Sequence, residues 1–286
     1  MRLSAISGEH QQYLVLGLHE PLVLARKLGL DCSNEQERHQ LEVGIQHLVS
    51  SYSPLVTGVH SSSEIGYSAS LSRSDKCGQI FSLEKALTEI DPLSIPILAT
   101  NWNVEYVRNN ESVASLTIWA HSSEVELINK LELVSELYDS CKYEGIDFLL
   151  QLNVIDGGQL ADEDFQKEQL QLITIFQDQA DALVLEYPRS ALGCLDVTGQ
   201  LKKPWLLRES SKSEYAAFKE DLRTALTGGA VGCVVSQLLV PTFAKGEFSL
   251  DNLDAFSQKE GRDRMLELGR ICHESAQPPA EAVTTE

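Results

Sequence analysis

Eight short apolar segments recur along the chain, and amphipathic helical stretches lie between them. The segments are YLVLGLH (13–19), PLVTGVH (54–60), GQIFSLEK (78–85), SVASLTIW (112–119), DFLLQLNV (147–154), DALVLEY (181–187), PWLLRES (204–210) and GCVVSQLL (232–239). Nearly continuous apolar character is typical of parallel strands that helices cover, so the alternation predicts an α/β fold. Eight such units in one run indicate a single (β/α)8 TIM barrel over residues 1–276, with an open doubly wound sheet as the alternative. IPILAT (95–100) suggests a short ninth strand.

The stretches between the strands carry signals for helix ends. Capping-box pairs predict where three helices begin: Ser33 with Gln36, Ser123 with Glu126, and Ser211 with Glu214. The helix after Glu126 is expected to end at Gly145, because glycine readily adopts the left-handed conformation found there. Helical patterns also cover 162–179 and 250–275. The polar segment 277–286 predicts a disordered tail outside the barrel.

The charge of the chain excludes two classes of partner. Its formal net charge is −19 and its pI is about 4.7. Such a surface repels nucleic-acid phosphates and anionic lipid, so neither nucleic acid nor a membrane surface is expected to bind. The same negative charge disfavours an anionic substrate, unless a local basic pocket outweighs it.

The remaining composition predicts a cytoplasmic protein. The N-terminal residues have no signal-peptide pattern, and no apolar stretch is long enough to span a membrane. Six cysteines are scattered through the chain without a CxxC motif. That spacing favours buried free thiols in a reducing compartment and suggests neither disulfides nor a cysteine-bound metal.

Polar residues at the strand ends are the candidates for a functional site, because TIM barrels carry their chemistry at the carboxyl ends of the strands. These candidates are His19, His60, Glu84, Lys85, Trp119, His121, Gln151, Asn153, Glu186, Tyr187, Arg208, Glu209, Ser236 and Gln237.

Three of these candidates, His19, His60 and His121, could bind a divalent metal if they converge. Barrel metal sites usually have an HxH motif on the first strand, and GLHEP has only one histidine. Hydrogen-bonded rim residues are therefore the favoured interpretation, and no metal or other cofactor is expected. Arg208 and Glu209 are expected to pair as a salt bridge at the rim, which would contribute little to stability.

Four segments resemble the class I aldolases of the tagatose-bisphosphate and sulfofructose-phosphate type. They are LEK (83–85), DALVLEYP (181–188), PWLLRESS (204–211) and GGAVGCVVSQ (228–237), and the resemblance extends from about residue 12 to residue 242. In that family the sixth strand reads approximately D-x-L-K-V-E-x-P, and its lysine forms a Schiff base with the substrate ketone. The resemblance puts Val184 at the position of that lysine. Valine has no amine and cannot form a Schiff base. Lys85 corresponds to a lysine that the family already has, so it gives no sign of a relocated nucleophile.

Other positions of the family pattern are replaced as well. The family's first and second strands end in aspartates, where this chain has His19 and His60, and its fifth strand carries a glutamate, where this chain has Gln151. The family's phosphate cradle comprises a small-residue turn after strand seven and a Gly-Arg pair at the end of strand eight. Here Glu209 lies in that turn, and Ser236-Gln237 replaces the pair. The resemblance thus implies an aldolase framework without its amine, its carboxylates and its phosphate-binding arginine.

Three functions are compatible with this pattern. The leading one is a pseudoenzyme that acts as a scaffold, assembly factor or regulator, through a protein partner, self-association or binding of a small molecule. The alternative is an enzyme with altered, metal-assisted chemistry at the barrel mouth. An active aldolase with a relocated lysine is the least favoured.

Overall fold

Each of the eight apolar segments forms one strand of a closed parallel barrel in a computed structural model of the chain. The structure describes residues 3–8, 11–65, 70–87, 91–100, 103–156, 160–210 and 214–276. The strands are β1 Tyr13–Leu18, β2 Gly58–Ser61, β3 Gly78–Ser82, β4 Val113–Ala120, β5 Phe148–Val154, β6 Ala182–Glu186, β7 Trp205–Arg208 and β8 Gly232–Val235. Each strand pairs with the next, and β8 pairs with β1, so the prediction of a single (β/α)8 TIM barrel is confirmed.

Helices follow the strands and cover the outside of the barrel. They are α1 Pro21–Lys27, α2 Glu35–Tyr52, α3 Val104–Asn109, α4 Leu127–Glu144, α5 Asp162–Phe176, α6 Ala191–Gln200, α7 Tyr215–Thr227, α8 Leu250–Gln258 and α9 Glu260–Ala276. Apolar side chains of these helices and of the outward-facing strand positions form one continuous core, which includes Leu150, Phe176 and Leu222. In the described helices, none combines the length and apolar character that a bilayer crossing requires. The predicted tail 277–286 lies outside the described residues.

Two predictions about strands and helices are wrong. Residues 95–100 form no strand, and one isolated antiparallel bridge joins Leu98 to Glu84. The stretch 250–275 is two helices, because the backbone of Lys259 leaves the helical conformation at φ −120°, ψ −96° and separates α8 from α9.

Two predicted capping boxes are also wrong. The cap of α2 is Asn34, whose side-chain oxygen accepts a hydrogen bond from the Gln36 amide at 2.9 Å. At α4, the Ser123 hydroxyl lies 2.9 Å from Nδ1 of His121 and makes no cap bond. Gly145 ends α4 in the left-handed conformation as predicted, at φ 73°. The third pair includes Ser211, which lies outside the described residues.

The barrel interior has an apolar lower half. Inward-facing side chains near the amino ends of the strands form this layer: Tyr13, Val15, Ile80, Val113, Leu149, Ala182, Val184, Leu206 and Val234. Leu3 and Ile6, from a short 3-10 turn before β1, close its floor. The turn fits because residue 78 is glycine: a Cβ atom there would lie 1.8 Å from the carbonyl oxygen of Ala5. The polar residues of the interior are therefore confined to its upper half.

Candidate functional site

The upper half of the barrel interior is polar and contains two histidines in contact. The rings of His19 and His60 stack with their centroids 3.6 Å apart and their planes 14° from parallel. Nε2 of His19 lies 3.0 Å from the side-chain oxygen of Gln151, which can only accept, so this nitrogen carries the proton. Nε2 of His60 lies 2.6 Å from the hydroxyl of Ser115 and 3.0 Å from that of Ser82.

Burial keeps both histidines neutral. It lowers the pKa of His19 to about 4, and the positive charge of Arg208 acts in the same direction. Burial also lowers the pKa of His60 well below its ordinary value, with His19 as the second cause. Two imidazolium ions at this distance would repel each other strongly, and among the described residues no carboxylate hydrogen-bonds to either ring. The pair is thus built as an uncharged hydrogen-bonding unit.

Arg208, at the end of β7, organises the charges at the mouth. Its guanidinium donates to the Asn153 side-chain oxygen at 2.8 Å and to both carboxylate oxygens of Glu20, at 3.1 and 3.3 Å. A carboxylate oxygen of Glu186 lies 3.7 Å away, and the guanidinium lies 5.6 Å from the ring centroid of Trp119. Burial alone would raise the pKa of Glu20, but Arg208 outweighs it and holds that pKa below its usual value.

The prediction that Arg208 pairs with Glu209 in an exposed rim salt bridge is wrong. Both side chains are buried, and they point to different partners because neighbouring residues of a strand face opposite sides. The Glu209 carboxylate accepts hydrogen bonds from the backbone amides of Gln237 and Leu238, just after β8. Ser236 lies beside them, and its backbone also bonds to this carboxylate.

Glu84, immediately after β3, is the most isolated acid of the mouth. One carboxyl oxygen accepts from the Thr117 amide at 3.2 Å, and the other has no hydrogen-bond partner among the described residues. Burial raises the pKa of Glu84 to about 7. The residue therefore changes between its neutral and charged forms near neutral pH.

A cavity of about 280 Å³ opens above these groups. The residues that line it are His19, Glu20, Leu22, Val23, Arg26, Glu84, Ala86, Pro92, Thr117 and Trp119. This volume lies just below the usual range for sites of drug-sized ligands, about 300–1,000 Å³, so the cavity suits a smaller molecule.

Val184 lies below this cavity, in the apolar layer. It is fully buried, and its neighbours across the sheet are Gln151 on β5 and Leu206 on β7. Among the described residues, Lys130 is the one buried lysine. Its ammonium donates to the carbonyl oxygens of Pro92 and Trp119, at 2.9 and 2.7 Å, and pairs with Glu124. That ammonium is fully engaged and offers no free amine.

Two other candidates lie apart from the cavity. Lys85 is half-buried and does not line the cavity. His121, just past the end of β4, lies 3.8 Å from Glu168 of the outer helix α5 and does not join His19 and His60. In the described part of the chain, no group of three or more His, Cys, Asp or Glu side chains is arranged to hold a metal ion.

The candidate residues therefore divide into groups. His19, His60, Trp119, Gln151, Glu186 and Arg208 come together at the mouth, whereas Glu209, Ser236 and Gln237 form a separate unit behind β8. Glu84 and Asn153, which the strand-end pattern also predicted, belong to the mouth group as well, whereas the sequence candidates omitted Glu20, which pairs with Arg208. The signal for Glu20 was the same as for the others, since it lies just past the end of β1.

Three solved structures resemble the chain over almost its whole length. A protein of Corynebacterium glutamicum matches with a TM-score of 0.66 and 15% identity, over 94% of this chain and 88% of its own. A Schiff-base-forming fructose-1,6-bisphosphate aldolase matches with a TM-score of 0.64 and 13% identity, over 93% and 96%. A fructose-bisphosphate aldolase from Slackia heliotrinireducens matches with a TM-score of 0.62 and 10% identity, over 100% and 96%.

No protein-family model and no curated protein matches the sequence. TM-scores of 0.62–0.66 establish a common fold. Because the identities are only 10–15%, the activity has to be judged from the residues of the site. The chain is thus a (β/α)8 barrel with the fold of the fructose-bisphosphate aldolases.

Proposed function

We propose that this chain is a non-catalytic relative of the class I aldolases that acts by binding. It takes up a small molecule at the barrel mouth, or a protein partner on its surface, without carrying out an aldol reaction. The observation that carries the proposal is the environment of Val184. A Schiff-base lysine needs an amine in contact with the substrate, and this position holds a buried valine in an apolar layer below the cavity.

The state of Glu209 supports the loss of a phosphorylated substrate. TIM barrels often bind phosphate between the loops after strands seven and eight and a short extra helix. In this chain the amides of Gln237 and Leu238, in a short 3-10 turn at that place, already bind the Glu209 carboxylate. A phosphate there would have to displace an internal anion and would be repelled by it.

The upper half of the interior supports retention of a binding site. A barrel that only needed to fold could fill this space with apolar side chains, as the lower half does. Instead, Glu84, Arg208 and the two histidines are buried here, and buried polar groups are costly unless they have partners. Two of them, His19 and Glu84, line the cavity, and a cavity with a few polar groups in its wall is the usual form of a small-ligand site.

Borohydride trapping tests the loss of the aldolase reaction. The purified protein would be incubated with fructose-1,6-bisphosphate, and separately with dihydroxyacetone phosphate, in the presence of sodium borohydride, and its intact mass measured. We expect no covalent adduct, while a Schiff-base-forming fructose-1,6-bisphosphate aldolase in parallel gains one substrate-derived mass. An adduct on this chain would overturn the proposal, and its loss in Lys85→Ala would identify a relocated nucleophile.

One observation favours a second function, an enzyme with new acid–base chemistry. Glu84 lines the cavity and has a pKa of about 7, which is suited to proton transfer at neutral pH. A metal-assisted form of that enzyme would need other ligands than the three histidines, because His121 contacts Glu168 of the outer helix α5 and does not join His19 and His60. Turnover of a ligand, abolished in Glu84→Gln with binding retained, would establish this second function in place of the first.

A further inference from the structure

Carboxyl groups outnumber cations inside the barrel mouth. Glu20, Glu84 and Glu186 lie there, and the buried cation among them is Arg208. Arg208 already binds Glu20 and has Glu186 at 3.7 Å, so its charge is committed. Arg26 also lines the cavity, but it is exposed on α1, where solvent screens its charge. The mouth therefore favours a positive ligand over a negative one.

Glu84 is the group that most needs a partner. It is almost fully buried, and one of its carboxyl oxygens is without a hydrogen-bond partner among the described residues. The other titratable groups that line the same cavity are His19 and Glu20, after β1, and Arg26 on α1. His19 is neutral and Glu20 is bound to Arg208, so neither neutralises a Glu84 carboxylate.

The walls of the cavity suit an organic cation better than a hydrated inorganic ion. Trp119 lines one side, and indole rings are the preferred aromatic partners of ammonium and guanidinium groups. Leu22, Val23, Ala86 and Pro92 supply apolar surface on which methylene groups can pack. The net charge of −19 would also draw cations towards the protein.

We infer that the mouth cavity binds a small organic cation, an alkyl ammonium or guanidinium compound, whose charged group pairs with Glu84 beside Trp119. This inference rests on the binding function proposed above and names the chemical class of its ligand. Binding would convert Glu84 to its carboxylate. Because burial raises the pKa of Glu84 to about 7, that conversion releases a proton below neutral pH.

Three probes with the same four-carbon chain test the charge preference. They are 1,4-diaminobutane, 1,4-butanediol and succinate, each titrated into the full-length protein by isothermal calorimetry at low ionic strength. We expect the diamine to bind at one site, at least about tenfold more tightly than the diol, and succinate not to bind. Equal or tighter binding of the diol or of succinate would overturn the inference, and so would no binding of any probe.

Two variants show whether Glu84 is the partner. Glu84→Gln keeps the shape of the side chain and is expected to weaken diamine binding by about tenfold or more. Glu168→Gln is the matched control, because Glu168 is equally buried but binds Ser122 outside the barrel. It is expected to bind the diamine as the wild type does. Wild-type affinity in Glu84→Gln would contradict the inference.

Proton release provides a second readout that a merely structural role of Glu84 would not change. At about pH 6.5, calorimetry in two buffers of different ionisation enthalpy should detect the release of up to about one proton per bound diamine. Glu84→Gln should release none, and wild-type affinity should rise from about pH 6 to pH 8. Borohydride trapping on the same preparation distinguishes failure of the proposed function from failure of this inference. A covalent adduct would contradict the non-catalytic function, whichever of the three probes binds.

Discussion

The two halves of the barrel interior are lined by the same eight strands, yet their chemistry is opposite. The lower half packs Val15, Leu149, Val184 and Leu206 into a closed apolar layer. The upper half, two to four residues further along the strands, contains His19, Glu84 and Arg208 and their partners. The backbone framework is shared, so the difference lies entirely in the side chains.

The comparison teaches where stability and function lie in this protein. Apolar burial stabilises the lower half without any demand for exact partners. Each polar group of the upper half instead depends on specific neighbours, and one carboxyl oxygen of Glu84 has no hydrogen-bond partner within the described part of the chain. Such a region is expected to be less stable than its surroundings and to be retained for binding. Three substitutions test this view of the interior.

The largest effect is expected for Val184→Lys, which restores the amine of the aldolase pattern. The ammonium would lie in the apolar layer without a partner, and we expect about 5 kcal/mol of destabilisation at pH 7. Since burial lowers the pKa of such a lysine, the loss should diminish as pH rises towards the ordinary lysine pKa. Urea unfolding at about pH 7 and pH 9 measures both effects.

Val184→Met is the matched control for this variant, because it adds a side chain of similar length without charge. It should cost only the strain of overpacking, about 1–3 kcal/mol, with no dependence on pH. If Val184→Lys proved as stable as Val184→Met at pH 7, solvent or an anion would reach the lower layer. The division of the interior into two halves would then be wrong.

Arg208→Met tests the polar half. It removes the charge that Glu20, Glu186 and Asn153 share, and we expect a loss of about 3–4 kcal/mol in the free energy of unfolding. Adding Glu20→Gln should recover part of that loss, because one unpaired carboxylate is removed. A double variant as unstable as the sum of the two single variants would show that Arg208 and Glu20 act independently.

Glu84→Gln is expected to have a smaller effect of opposite sign. The pKa of Glu84 is raised from 4.5 to about 7, so the acid contributes stability at low pH that is lost as pH rises through this range. The glutamine variant should therefore be more stable than the wild type at about pH 8, by about 2–3 kcal/mol. Unfolding midpoints at about pH 5 and pH 8 give the comparison.

The buried histidines make stability depend on pH in the opposite direction to Glu84. The pKa of His19 is lowered from 6.5 to about 4. The stability that neutral His19 contributes is therefore present above about pH 6.5 and is lost as pH falls towards about 4. In the wild type, the opposite slopes of His19 and Glu84 partly cancel between about pH 4.5 and 6.5. Glu84→Gln should expose a steep loss of stability on acidification, and a flat profile would contradict the burial of the histidines.

Much of the fold could be predicted from the order of apolar segments. Eight of the nine predicted strands form, because continuous apolar runs are buried on both sides in a parallel barrel. The ninth, at 95–100, is apolar but forms no ladder with a neighbour. The short helices α1, α3 and α6 were not predicted, since six to ten residues contain too few turns for a clear periodic pattern.

The site was only partly predictable. Strand ends pointed to His19, His60 and Arg208, but nothing in the sequence indicated that the two imidazole rings stack. The expected pairing of Arg208 with Glu209 failed because neighbouring residues on a strand face opposite sides. Adjacent numbers suggested a contact that the pleat of the strand forbids.

By itself, the sequence determined the barrel, its eight strands and the absence of a lysine at Val184, because these depend on local apolar pattern and residue identity. Only the tertiary structure decided that Glu20 reaches Arg208 across 188 positions, that Glu209 binds the amides after β8, and that Glu84 lines a cavity. Those features depend on which strand ends meet at the mouth and how deeply each charge is buried. Closure of the barrel fixes both, and no local segment of the chain encodes them.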